Sequence, residues 1–310
     1  MKLTIHKYRD QDDYWRIRDF LRQVFMLNGR RELSWHVARL DYWWWRRDEF
    51  LGDDGIEDAV FVWETASGQI AAVLNPESKG QVYQQVHPGL RTPELEEEML
   101  VLAEERLAVS RPGGKRKLWV WTDAHDDLRQ DLLTRRGYAP VAVPDAKEHQ
   151  RRRSLDAPIL EATPPPGYTV RSQGDVEERP ARGWVSWQAF HPDEPDEDYG
   201  GWDWFRSVQS APLYRRDLDI VAVAPDGEYA AFCTVWFDDV TRSAYFEPVG
   251  TAPQHQRRGL GKAVMCEGLR RLKHMGATLA LVGSYTPPAH VLYASVGFTE
   301  YDLSEPWEKE

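Results

Sequence analysis

Gln256-Arg257-Arg258-Gly259-Leu260-Gly261-Lys262 lies between two segments of opposite periodicity. Before it, the apolar run Ala244 to Thr251 reads as a strand. After it, Leu260, Val264, Leu269, Leu272 and Met275 recur at helical spacing, with Arg270, Arg271 and Lys273 on the opposite face and Gly276 as the stop. Strand, glycine loop and helix therefore stand in order. A helix N-terminus exposes unpaired backbone N–H groups and a partial positive charge, and an anion approaches them closely only where no side chain intervenes. Arg257, Arg258 and Lys262 add positive charge around the two glycines. A glycine pair alone also serves tight turns, so the order of elements carries the reading.

Working outward, the same pattern occurs twice. Gly68-Gln69-Ile70-Ala71-Ala72-Val73 parallels Gly227-Glu228-Tyr229-Ala230-Ala231-Phe232, each a turn glycine opening the returning strand of a hairpin. Leu118-Trp119-Val120-Trp121, a polar helix, Gly137 and the apolar run Pro140 to Val143 parallel Leu279-Ala280-Leu281-Val282, a short helix from His290 to Ser295, Gly297 and a final strand. Two matches at nearly constant offset indicate an internal duplication. The proline segment Ala162-Thr163-Pro164-Pro165-Pro166-Gly167 is the clearest break, because consecutive prolines exclude helix and lack strand donors. Domains over residues 1–158 and 167–310 are expected.

A chain of 310 residues accommodates two such domains. It holds 42% hydrophobic and 29% charged residues, with no run near the roughly 20 apolar residues of a membrane helix. The N-terminus Met1 to Lys7 lacks the apolar core of a secretory signal, so a cytoplasmic protein is expected. Cys233 and Cys266 show neither C-x-x-C pairing nor a neighbouring His cluster, which argues for packed thiols and no metal site. A net charge of −11 opposes a nucleic-acid partner.

The glycine loop resembles the Q/R-x-x-G-x-G/A signature of the GNAT superfamily of N-acetyltransferases, with Pro253 three residues before Gln256. Downstream, Leu292-Tyr293-Ala294-Ser295-Val296-Gly297-Phe298 looks like the family's L-Y-x-x-x-G-F. The resemblance covers the C-terminal half and, more faintly, the N-terminal half. It implies an α/β (α+β) fold of two tandem acyl-CoA N-acyltransferase domains, each a mixed, mostly antiparallel sheet flanked by helices and splayed between its fourth and fifth strands. It further implies acetyl-CoA as co-substrate. Val249, Gly250 and Thr251 would pair with the pantetheine arm like an added strand, with Gly250 permitting a bulge. Gln256, Arg257, Arg258, Gly259, Leu260, Gly261 and Lys262 would hold the pyrophosphate. Thr286 stands where the family often has an asparagine against the cofactor, and Pro287 and Pro288 follow it.

An amine of pKa near 10.4 is neutral in only roughly one molecule in two thousand at pH 7, so transfer benefits from a group that takes its proton. On the resemblance that base is Glu247; a carboxylate on the solvent side of the strand or in a structural ion pair is the other reading. Tyr293 stands where the family places a tyrosine that can protonate the departing thiolate, and a packed helix tyrosine is the alternative.

Setting Pro88 against Pro253 places Glu94 and Glu96 at Gly259 and Gly261, and Leu133 at Tyr293, so the first copy is expected to lack the pyrophosphate loop. Trp184, Trp187, Phe190, His191, Trp202, Trp204 and Phe205 surround the acidic run Asp193 to Asp198. Aromatics beside carboxylates suit a cationic amine, with His191 and Asp193 as acceptor-site candidates; a core-facing stripe with a solvated loop fits most of the others. Trp43, Trp44 and Trp45 read as packing. The expected function is acetyl transfer from acetyl-CoA to a primary amine of a small acceptor. An acyl-CoA-binding sensor and an interaction protein without turnover are the alternatives, and nothing in the sequence fixes the oligomeric state.

Overall fold

The computed structural model describes residues 2–309 apart from Asp53, Asp54, Pro112, Lys115 and Pro144, with the backbone alone at Asp48 and Glu49. Contacts divide the chain into two compact units, Met1–Gln150 with Asp302–Glu310, and Arg151–Tyr301. This differs from the boundary expected at the prolines, which lie inside the second unit. The reason is long-range pairing. Leu155 joins the second unit's core and donates its N–H to the Thr278 carbonyl at 3.0 Å, whereas Ser304 to Lys309 pair with a strand of the first unit.

The first unit opens with β1 (Thr4–Lys7), α1 (Gln11–Leu27), α2 (Val37–Trp44) and the short helices α3 (Arg47–Leu51) and α4 (Ile56–Ala59). Strands β2 (Phe61–Glu64), β3 (Ile70–Ser78) and β4 (Gln81–Val86) follow, then α5 (Pro93–Arg106), β5 (Val109–Ser110), β6 (Arg116–Asp123), α6 (Asp127–Arg135), β7 (Ala139–Pro140) and the start of β8 (Glu148–Ser154). β1 to β4 pair antiparallel in sequence order. β4 then runs parallel to β6 at Gln81↔Trp119 and Val82↔Val120. Trp63, Val82, Met99, Leu100 and Val120, all buried, form part of its core. Trp43 and Trp44 are buried as expected.

The second unit repeats this plan. It comprises β9 (Thr169–Ser172), α7 (Arg179–Phe190), α8 (Asp203–Val208), β10 (Asp219–Val223), β11 (Tyr229–Asp238), β12 (Ser243–Thr251), α9 (Leu260–His274), β13 (Leu279–Ser284) and α10 (Pro287–Ser295). β9 to β12 are antiparallel neighbours, and β12 runs parallel to β13 at Ser243↔Leu279, Ala244↔Ala280 and Tyr245↔Leu281. β11, paired on both sides by β10 and β12, is buried along its whole length, with the small residues Ala230, Ala231 and Cys233 among the aromatics Tyr229, Phe232, Trp236 and Phe237. α9 buries Leu260, Val264, Leu269 and Leu272 on the sheet, as its apolar stripe predicts.

The duplication is visible in detail. Gly68 and Gly227 both take positive φ before β3 and β11, and Gly137 and Gly297 do so after α6 and α10. The N–H groups of Gly137 and Tyr138 reach the Thr134 and Leu133 carbonyls; those of Gly297 and Phe298 reach Ala294 and Tyr293 in the same way. Helix starts correct the expected register of the loops. α5 begins at Pro93 with Thr92 as N-cap, whereas α9 begins at Leu260 with Gly259 as N-cap. Thr92 and Glu94 therefore stand at Gly259 and Gly261, and Glu96 is a buried ion-pair residue held by Arg91 and Arg129. The first loop lacks both glycines in this register too.

Candidate active site

The opening between β12 and β13 sets the site. Their pairing ends at Tyr245, and at the next step the burial of β12 changes, from Ser243–Phe246 fully buried to Glu247–Thr251 half-exposed. Residues 247 to 251 thus border a cleft beside the N-terminus of α9. Gly259 has φ 81° with open space around its Cβ position. A Cβ at Gly261 would meet Leu292 Cδ2 at 3.2 Å and Thr251 Oγ1 at 3.4 Å. Gly261 is buried and lets Leu292 and Thr251 pack against the first turn, while exposed Gly259 leaves the N-cap of this 15-residue helix without a side-chain capping bond; a helix N-terminus left uncapped in this way attracts an anion. Such a cradle fits the diphosphate of a coenzyme.

The basic side chains around it are not all mobile. Arg257 is exposed at φ 59°. Arg258 is folded back, donating to the Tyr168 hydroxyl at 3.2 Å and the Gln254 carbonyl at 3.3 Å. Tyr168 also shares a 2.9 Å hydrogen bond with His255 Nδ1. Gln256 Nε2 donates to the Thr251 carbonyl at 3.3 Å, engaging one of the backbone groups expected to meet pantetheine. Lys262 is half-buried, and Leu260 is buried in the core. Thr286 is the N-cap of α10 without a side-chain capping bond, and its side chain is exposed.

Gly250 has a different role from the bulge expected of it. It pairs regularly with Phe232, and the register shift between β11 and β12 falls between the Cys233↔Val249 and Val235↔Phe246 pairs, at Glu247-Pro248. A Cβ at Gly250 would lie 2.6 Å from Phe232 Cζ and 2.9 Å from Ala189 Cβ, so glycine is needed there for α7 to pack on the sheet.

Glu247 sits half-buried at that shift, and the fully buried Trp236 donates its Nε1–H to the Glu247 carbonyl at 2.5 Å. Tyr293 on α10 is buried and packed into the core. Burial first, then the nearby Glu247 carboxylate and the Cys233 thiol, push its hydroxyl well above the ordinary phenol pKa, against the opposing charge of Arg151. The two candidate catalytic groups therefore lie within electrostatic reach of one another. Arg151 Nε donates to Ser284 Oγ at 2.9 Å, and Ser284 shares a 2.9 Å bond with His290 Nδ1. Trp236, Tyr168 and Arg151 were not singled out by sequence, since no local pattern marks a tryptophan or arginine whose partner is distant in the chain.

His191 is stacked on Trp187 at 4.0 Å and hydrogen-bonded through Nδ1 to Glu194 at 2.9 Å, two residues beyond the Ala189 that abuts Gly250. Asp193 is exposed with the rest of the acidic run. Phe205 is buried, but Trp184, Trp187, Trp202 and Trp204 are only half-buried and Phe190 is exposed, so the aromatic stripe is not core-facing as a whole. Cys233 and Cys266 are free and buried. Among the described residues His6, Asp13 and Glu64 bring metal-type ligand atoms within 4.8 Å, but Arg9 and Arg16 already pair with these carboxylates. That is an ion-pair network. No helix among the described residues is long and apolar enough to cross a membrane.

Against known proteins, a profile of the "Acetyltransferase (GNAT) family" matches residues 181–298, the part of the chain that carries this cleft. A mycothiol acetyltransferase of Thermomonospora curvata is 31% identical over 223 residues, 70% of this chain and 69% of that one. The chain belongs to the GNAT family of acetyltransferases. It is thus an acyltransferase, with two copies of the GNAT fold in tandem. A mycothiol acetyltransferase of Pseudarthrobacter chlorophenolicus is 26% identical over 253 residues, covering 76% of this chain and 72% of its own. In fold, a GCN5-related N-acetyltransferase from Sphaerobacter thermophilus superposes with a TM-score of 0.66 at 18% identity, over 99% of this chain and 95% of that one. A tandem GNAT protein from the clavulanic acid biosynthesis pathway gives 0.67 at 14% identity, over 100% and 98%.

Proposed function

We propose that this GNAT protein transfers the acetyl group of acetyl-CoA to the primary amine of a small acceptor, using the second unit alone. The observation that carries the proposal is the coincidence at one cleft of an open strand edge, a two-glycine helix N-terminus and the Glu247–Tyr293 pair. Acetyl-CoA, when bound, supplies a thioester carbonyl activated towards an amine. Gly259 and Gly261 admit its diphosphate to the first turn of α9, and the edge of Val249 and Gly250 offers backbone groups to its amides.

Glu247 takes the acceptor's proton, directly or through water, at the point where β12 leaves its parallel neighbour. Tyr293 keeps its proton throughout the neutral range and directs its hydroxyl to the departing sulfur. A thiol near pKa 8.5 is already a stronger acid than an ordinary phenol, so full transfer from tyrosine is uphill by at least about 2 kcal/mol. Tyr293 therefore serves as a hydrogen-bond donor to that sulfur, with the ammonium's proton available to complete the transfer. His191, the C-cap of α7, and Asp193 in the acidic run that follows would meet the acceptor's cation; the approach of Ala189, on the same helix, to Gly250 supports this. Relatives named for mycothiol support a small metabolite as acceptor in preference to a protein chain.

The test is thiol release from acetyl-CoA in the presence of a panel of small amines, with the acetylated product identified by mass. Turnover with one amine class supports the reading. Tight binding of acetyl-CoA with no thiol released by any member would favour a sensor.

A further inference from the structure

In the first unit β4 and β6 pair at only two positions before diverging, and the space beyond is a cavity of about 350 Å³. Its loop carries Thr92 and Glu94 where the second unit has glycines, so the diphosphate cradle is absent. Three arginines line the cavity, each committed to carboxylates. Arg31 pairs with Asp302 at 2.5 Å, Arg91 with Glu96 at 2.5 Å and Asp126 at 2.7 Å, and Arg129 with Glu96 at 2.8 Å. With Asp123 and Asp127 also on the wall, carboxylates outnumber guanidinium groups in and just behind it.

Two acceptors there have no donor. Gln84, 2% exposed, gives its amide N–H to the Glu96 carbonyl at 3.1 Å, which fixes the orientation of the amide and leaves Oε1 buried without a partner. Asp123 accepts the His125 backbone N–H on Oδ1 at 2.8 Å, and its Oδ2 is buried and unpartnered. Burial first, then neighbouring Asp302, raise the Asp123 pKa against the His125 backbone N–H and the opposing charges of Arg31 and His125, whose ring Nδ1 lies 3.6 Å from Oδ1. Gln84 and Asp123 line both the cavity and a recess of about 20 Å³ behind it. A recess of that size takes one water, or the ammonium or hydroxyl end of a ligand. An unmet buried acceptor is costly, and two at one end of a cavity call for donors.

We propose that this cavity is a second ligand site, selective for a small cationic amine bearing hydroxyl groups, whose ammonium meets Asp123 and whose hydroxyls serve Gln84 and the cavity wall. Anions are excluded because every arginine on the wall is already paired, and coenzyme A is excluded because Glu94 stands where a glycine would admit its diphosphate. The site is separate from acetyl transfer and is filled whether or not the second unit holds acetyl-CoA.

Isothermal titration of the full chain tests this with 1-amino-1-deoxy-D-glucitol as probe, against sorbitol, which has the hydroxyls without the charge, and gluconate, which reverses the charge. The amino polyol should bind one per chain, at least tenfold more tightly than sorbitol, with no heat from gluconate. Saturating CoA should not displace it, and Gly261→Glu in the other unit should leave its affinity unchanged. Asp123→Asn should weaken it at least tenfold. Should that variant fail to fold, Leu33→Trp, which fills the cavity from its rim, should abolish binding while the chain's melting temperature holds. Absence of binding at millimolar probe, competition by CoA, equal affinity for gluconate, or undiminished binding in the variant that folds would each overturn the proposal.

Discussion

Trp236 Nε1 donates to the carbonyl of Glu247 at 2.5 Å from a fully buried ring, so the strand beside the cleft fixes the backbone of the proposed base where β12 is irregular. Removing that donor while keeping an aromatic ring should loosen Glu247. Trp236→Phe is expected to cost about 1–3 kcal/mol of stability and to lower kcat, with KM for acetyl-CoA nearly unchanged. Denaturant unfolding and steady-state kinetics measure both. Lost stability with full kcat would make the bond purely structural.

Glu247→Gln removes the base and keeps the volume. Turnover at pH 7 should fall by about 10²-fold or more, and raising the pH should recover part of the loss, because the acceptor amine then deprotonates without help. Acetyl-CoA affinity should barely move. Full activity across the pH range would rule out Glu247 as the base.

Tyr293→Phe keeps the ring's packing and removes the hydroxyl. The raised pKa means that the hydroxyl stays protonated above the ordinary phenol range, so no alkaline fall in rate below pH 10 should trace to it. The variant's defect should shrink when the leaving thiol is made more acidic with a substituted CoA analogue. A defect independent of the leaving group would limit Tyr293 to packing.

Much of this site is local and therefore legible in sequence. The glycine loop, the stripe of α9 and the L-Y-x-x-x-G-F segment each announce themselves within a few residues, and so does the turn glycine of each repeat. What sequence does not carry is which strand a segment joins. The prolines at 164–166 break local structure, but Leu155 and the Ser304 to Lys309 strand choose their units by pairing over more than a hundred residues. The register of the first loop was displaced by two residues for a similar reason, since only the helix start at Pro93 fixes it. Gly250 is the clearest case: its glycine reads as a bulge in sequence, whereas Phe232 and Ala189 are what require it.

That requirement gives a stability prediction. Gly250→Ala places a methyl group 2.6 Å from Phe232 Cζ and 2.9 Å from Ala189 Cβ, and relief means displacing α7 or a fully buried ring. A loss of about 1–3 kcal/mol in chemical denaturation is expected. An unchanged unfolding midpoint would show that α7 shifts freely.

The account stands most directly on where the coenzyme binds. Calorimetric titration of the full chain with acetyl-CoA should give one site per chain, because only the second unit has glycine at both Gly259 and Gly261. Gly261→Glu should abolish that binding by setting a carboxylate against the diphosphate, with a melting temperature within a few degrees of the parent's. Two sites per chain, or a Gly261→Glu variant that binds acetyl-CoA as tightly as the parent, would contradict it.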